Sequence, residues 1–226
     1  MKTEIIAIQD RSGSMAPLHR DVVGGYNTFL AEQRAVPGEA RITCVQFNDE
    51  VRTLYQALPL SEVKDMGAAD YLPTGSTALL DAIGSTLTAH AERIADEGWA
   101  ELVIVHINTD GEENASHQYT LEQVKTMITH AQDKGGWVFL FQAANQDAFA
   151  AGGKYGISAA TTSNFAATGA GLRGAYGAMS MSVTNLRNVA AQPPAGPLAD
   201  AIASVPLPPA QPSGVLPDAV AGLQKP

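Results

Sequence analysis

Three short polar stretches hold the residues whose types and spacing point to chemistry. Asp10-Arg11-Ser12-Gly13-Ser14 follows one apolar run, Gly75-Ser76-Thr77 stands before a helical pattern, and Thr109-Asp110-Gly111 follows the most apolar run of the chain. Their side chains offer carboxylate and hydroxyl oxygen. Oxygen donors without thiolate or imidazole select Mg²⁺, Mn²⁺ or Ca²⁺ over zinc. In a loop curling round an ion, alternate side chains face the same side, so Asp10, Ser12 and Ser14 can converge, and Gly13 permits the tight backbone path. Thr77 adds a hydroxyl from a second loop, and Asp110 adds a carboxylate, directly or through water. The predicted ligand set is therefore Asp10, Ser12, Ser14, Thr77 and Asp110, with Mg²⁺ as the expected ion and Mn²⁺ or Ca²⁺ as alternatives. An aspartate acting through water screens the ion less, so the ion stays electrophilic and accepts a carboxylate from outside. Singly, each of these residues is a common turn or helix-cap residue. Their order along the chain carries the reading.

The elements that must position them alternate between strand-like and helix-like runs. Ile5 to Ile8 reads as a buried strand, and a helix around His19 to Ala35 carries Val22, Val23, Tyr26, Phe29 and Leu30 on one side before Pro37-Gly38 ends it. Arg41 to Phe47 reads as a strand, Asn48-Asp49-Glu50 as a tight turn, and Val51, Thr53 and Tyr55 alternate after it, which predicts a hairpin. Leu80, Ile83, Leu87 and Ile94 form a helical stripe stopped by Gly98. Leu102 to Ile107 is a strong buried strand. Thr120 to Gln123 has capping-box spacing and opens a helix, with Leu121, Val124 and Ile128 expected inward, closed by Gly135-Gly136. Trp137 to Phe141 is a strand, a short helix is expected near 146–151, and a weak strand near 161–165. Asn145-Gln146-Asp147 is a candidate for the site rim or for that helix start. The last helix presents Leu172, Tyr176, Met179, Val183 and Leu186. This alternation predicts an α/β, doubly wound, mostly parallel sheet with an antiparallel strand and helices on both faces. In such sheets ligands bind beyond the carboxyl ends of the strands, where all three polar stretches fall.

Composition narrows the function classes. The chain has 226 residues and a formal net charge of −9, which argues against nucleic acid as a partner. No apolar stretch is long enough for a membrane span, and the amino-terminal residues lack an export-signal pattern. The single cysteine, Cys44, allows no internal disulfide and reads as a core residue. A cytoplasmic protein is expected. Residues 190–226 hold nine of the 13 prolines and few charges, so the expected organisation is a domain over 1–189 and a disordered Pro/Ala-rich tail. The five histidines show no zinc spacing, and His106 lies inside a strand, where a hydrogen-bonded core histidine is expected.

Asp10-Arg11-Ser12-Gly13-Ser14 resembles the D-x-S-x-S motif of von Willebrand factor A (VWA) domains, and Thr77 and Asp110 match the later Thr and Asp of their metal-ion-dependent adhesion site, or MIDAS. The resemblance spans roughly residues 3–189 and is nearest to stand-alone intracellular bacterial or phage members. It implies a six-stranded, Rossmann-like sheet with one antiparallel edge strand. It also implies a protein partner whose Asp or Glu completes the metal coordination. The expected function is thus a cation-dependent protein-binding module and not an enzyme. Two alternatives stay open. One is a metal-dependent phosphohydrolase, for which only Asp10, Asp110 and Glu112 are available as nucleophile or base. The other is a structural component with a non-functional metal site.

Overall fold

A computed structural model describes residues 1–145 and 147–191 of the protein. The strands are β1 (Thr3–Asp10), β2 (Ala40–Phe47), β3 (Val51–Pro59), β4 (Leu102–Thr109), β5 (Trp137–Ala143) and β6 (Thr162–Asn164). The α-helices are α1 (His19–Ala35), α2 (Leu79–Glu97), α3 (Leu121–Asp133), α4 (Ala148–Lys154) and α5 (Gly169–Ala191). The strands form one sheet in the order β3-β2-β1-β4-β5-β6. Every neighbouring pair is parallel except β2 with β3, so the hairpin supplies the expected antiparallel edge strand.

Side-chain alternation divides the core in two. On β1, Ile5 and Ala7 face α1 and α5, together with Ile42, Cys44, Ile104 and Leu140 from the neighbouring strands. Ile6 and Ile8 face α2, α3 and α4 with Val45, Val105 and Phe139. Both faces of the central strands are covered, which is why they read as continuous apolar runs. The stripe expected on the last helix is buried in full: Leu172, Tyr176, Met179, Val183 and Leu186 are each at most 4% exposed. No helix among the described residues is long and apolar enough to cross a membrane.

Several local expectations shift. The short helix α4 begins at Ala148, because Asp147 caps it by accepting from the N–H groups of Phe149 and Ala150. The weak strand shortens to the three residues of β6. The simple alternation expected along β3 is interrupted by irregular pairing with β2 between Ile42 and Val45, and Ala57 adopts φ 49. Helix α5 continues to Ala191, past the expected boundary at 189, and the rest of the expected tail, 192–226, lies outside the described residues.

Candidate metal centre

The chain changes direction across the sheet between β1 and β4. From β1 it moves to β2 and β3 on one side, then crosses to β4 on the other. The carboxyl ends of these two neighbours form the crevice of an open α/β sheet. Asp10 is the last residue of β1 and Thr109 the last of β4. The Thr109 hydroxyl donates to Asp10 Oδ2 at 2.6 Å, and the Ser12 backbone N–H donates to Asp10 Oδ1 at 2.7 Å. The Ser12 and Ser14 hydroxyls lie 3.0 Å apart, and Ser14 Oγ donates to Asp110 Oδ1 at 2.6 Å. Asp10, Ser12, Ser14 and Asp110 thus form one hydrogen-bonded string across the two strand ends. Thr77 stands beside it: a Cβ added at Gly111 would lie 3.0 Å from Thr77 Oγ1 and crowd the hydroxyl. Asp10, Ser12, Thr77 and Asp110 are all buried, whereas Ser14 is exposed and marks the mouth.

The loops that bring these residues together are strapped to one another. Gly13 N–H donates to the Gly75 carbonyl and Thr74 N–H to the Arg11 carbonyl, both at 2.9 Å. Asn48 donates through Nδ2 to the Thr74 carbonyl at 2.8 Å, and its Oδ1 accepts from Arg11. Asp49 Oδ1 accepts from Ser76 N–H at 3.1 Å, and its carboxylate occupies the space a side chain at Gly75 (φ 75) would need. Sequence reasoning read Asn48-Asp49-Glu50 only as a turn, yet two of its side chains hold the second ligand loop. It also missed Tyr71, whose hydroxyl donates to the Asp10 carbonyl, and the supporting role of Thr109, whose place directly before Asp110 was the available signal. Asn145 does reach the rim, in a left-handed conformation (φ 56), and donates to the Asp110 carbonyl at 3.1 Å.

No family model matches the sequence, and neither does any curated protein. Solved structures do match. A von Willebrand factor type A protein from Catenulispora acidiphila superposes with TM-score 0.55 at 17% identity, over 81% of this chain and 43% of that one. This is the von Willebrand factor A fold. Proximal thread matrix protein 1 from the mussel byssus, solved with a zinc-occupied MIDAS motif, superposes with TM-score 0.58 at 14% identity, over 80% of this chain and 46% of that one. The chain spans less than half the length of either relative. At these identities the likeness concerns the fold alone.

Within this VWA fold the electrostatics of the site are unbalanced. Burial pushes the Asp10 carboxyl up from 3.8 to about 6, against the hydrogen bonds from Ser12 and Thr109, and the nearby Asp110 adds to the rise. Burial raises Asp110 as well, against its bond from Ser14. Neither aspartate belongs to an ion pair among the described residues. Arg11, the nearest cation in sequence, spends its guanidinium on the Leu72 carbonyl and Asn48. Two buried carboxylates without a basic partner, joined by hydroxyls, suit a hard divalent cation. Among the described residues no cluster of three or more His, Cys, Asp or Glu competes for that role. His106 is a core residue as expected, bonded through Nε2 to Gln142 at 2.8 Å and pushed down to about 4 by burial.

Proposed function

We propose that the protein is a divalent-cation-dependent binding module. Asp10, Ser12, Ser14, Thr77 and Asp110 would hold the cation, and an Asp or Glu of a protein partner would complete its coordination. The observation that carries this reading is the buried Asp10–Asp110 pair, strung together by serine hydroxyls and without an ion-pair partner among the described residues. The bound ion would supply a Lewis-acidic centre for an external carboxylate. Exposed Ser14 gives that carboxylate an approach. Leu72 and Phe149, 58% and 37% exposed, lie in segments of the same sheet edge and offer apolar contact to a protein surface.

The hydrolase alternative finds less support. Both Asp10 oxygens already accept hydrogen bonds, from Ser12 N–H and the Thr109 hydroxyl, which suits a fixed ligand better than a nucleophile. The oxygen-only donor set favours Mg²⁺ or Mn²⁺, and the zinc in the mussel protein's motif makes Zn²⁺ the competitor to include.

The test is calorimetric titration of Mg²⁺, Mn²⁺ and Zn²⁺ into metal-free protein. The expected result is one Mg²⁺ or Mn²⁺ per chain, lost in Asp10→Ala while the far-ultraviolet circular dichroism is unchanged. A pull-down from the native source should lose its bound protein in EDTA. Absence of Mg²⁺ and Mn²⁺ binding by the wild-type chain would overturn the proposal.

A further inference from the structure

Building on the cation site proposed above, we propose that Asn114 is its positioning residue, clamping Thr77 to the loop that carries Asp110. Thr77 and Asp110 come from opposite sides of the α2–β4 unit, so something must hold them in register. Asn114, four residues beyond Asp110, meets Thr77 twice. Thr77 N–H donates to Asn114 Oδ1 at 2.9 Å, and Asn114 N–H donates to the Thr77 carbonyl at 3.0 Å. The two bonds close a ring that fixes both the position and the orientation of the Thr77 backbone, and with it the direction in which the hydroxyl leaves.

The surroundings of this clamp explain why the Thr77 hydroxyl is available. A threonine just before a helix ordinarily spends its hydroxyl on the first-turn N–H groups. Helix α2 does not use it so. Its N-cap is Ala78, with no side-chain cap, and its first donors are satisfied from the Asp110 loop instead. Leu80 N–H donates to Glu113 Oε2 at 2.8 Å, and Asp81 N–H donates to Ser116 Oγ at 3.0 Å. In return Asp81 accepts from the N–H groups of His117, Gln118 and Tyr119 at 2.8–2.9 Å. The loop therefore caps the helix, and the helix anchors the loop. Glu113, Ser116 and Asp81 provide the stability of this joint. Asn114 is the member that touches a proposed ligand residue.

Supporting contacts of this kind typically change metal affinity by about 10–100-fold when removed. Asn114→Ala deletes the Oδ1 acceptor and leaves the backbone bond in place, while Asn114→Asp keeps the acceptor. Mg²⁺ titration of the full chain should show affinity falling by about that factor in Asn114→Ala and largely restored in Asn114→Asp. Amide hydrogen exchange on the metal-free proteins supplies an independent readout. The Thr77 amide should be protected in the wild type and exposed in Asn114→Ala, whereas the Leu80 and Asp81 amides, held by Glu113 and Ser116, should stay protected. Loss of protection at all three would mark a structural residue and overturn the proposal. So would equal Mg²⁺ affinity in wild type and Asn114→Ala, with the cation site itself still standing. A wild-type chain that binds neither Mg²⁺ nor Mn²⁺ would remove both. If Asn114→Ala does not fold, Asn114→Ser, whose shorter side chain still suits a turn, carries the same expectation.

Discussion

The two ends of β1 solve the same electrostatic problem in opposite ways. At its start, Glu4 is buried to 1% exposure, and the fold answers with Arg93 of α2, which bonds it directly. Arg93 also reaches Glu97 at 3.2 Å, Glu97 reaches Arg41, and Arg41 lies over the Trp99 ring at 4.1 Å. At the other end Asp10 is just as buried, has Asp110 as a neighbour, and meets no cation among the described residues. Its carboxyl consequently rises to about 6. Among the described residues, one end of the sheet is electrostatically closed, and the other is left without a counter-charge. That asymmetry separates a structural charge from a binding site more sharply than burial does, because burial is the same at both.

The comparison can be broken most forcefully at the closed end. Arg93→Ala leaves Glu4 buried without its ion-pair partner, and should cost about 3–5 kcal/mol of stability. Urea unfolding at pH 7 measures it, and a loss below 1 kcal/mol would show that Glu4 is not held by Arg93 in the way described.

The open end should respond with the opposite sign. Asp10→Asn removes a buried charge, keeps an acceptor for Ser12 N–H, and should stabilise the metal-free domain by up to roughly 3 kcal/mol at pH 7, the free-energy equivalent of the rise from 3.8 to about 6. The same variant should lose the stabilisation that Mg²⁺ gives the wild type, which would be about 2.7 kcal/mol at a free concentration one hundred times Kd. Thermal melts with Mg²⁺ and with EDTA read both effects. A metal-free Asp10→Asn domain weaker than wild type would show that the two hydrogen bonds to Asp10 outweigh its desolvation.

A smaller effect per pH unit sharpens the picture. Between 3.8 and about 6 the folded chain holds a proton on Asp10 that the unfolded chain has released, so this group lowers metal-free stability as pH rises through that window. His106 acts in the other direction. Its value falls from 6.5 to about 4 on folding, so the unfolded chain takes up its proton first and stability is lost as pH drops from 6.5 towards 4. The slopes partly cancel in the wild type, and Asp10→Asn should expose the steeper acid loss from His106 alone. Mg²⁺ affinity, which needs Asp10 deprotonated, should weaken below pH 6 by no more than about tenfold per unit. Denaturation midpoints and titrations from pH 4 to 8 follow these slopes, and a flat Mg²⁺ affinity across that range would mean that Asp10 does not contact the ion.

Much of this was legible beforehand because it depends on local patterns. Continuous apolar runs announce doubly covered strands, and Thr120 with Gln123 forms the capping box its spacing describes. The helical stripes name most of their buried residues, but Val23 and Leu80 are only half-buried, and Leu121, in the first turn of α3, is 39% exposed. The five proposed ligands could be named because they lie at a strand end, in the loop that follows it, or just before a helix. Other features could not be read that way. A row of buried amides, Gln46, Gln9, Asn108 and Gln142, crosses four neighbouring strands at one level, but in the sequence each looks like an isolated polar residue at a strand end.

What the sequence determined by itself, then, was the alternation of elements and the chemical identity of the proposed ligands, since periodicity and residue type are properties of neighbours along the chain. Only the tertiary structure decided which aspartate lacks a counter-charge, why the Thr77 hydroxyl is spared from capping α2, and that Asn48, Asp49, Tyr71, Thr109 and Asn114 hold the site. The reason is physical. Desolvation and hydrogen-bond satisfaction depend on groups brought together from distant parts of the chain, and an Asn or a Thr carries no mark in the sequence of the partner it will meet.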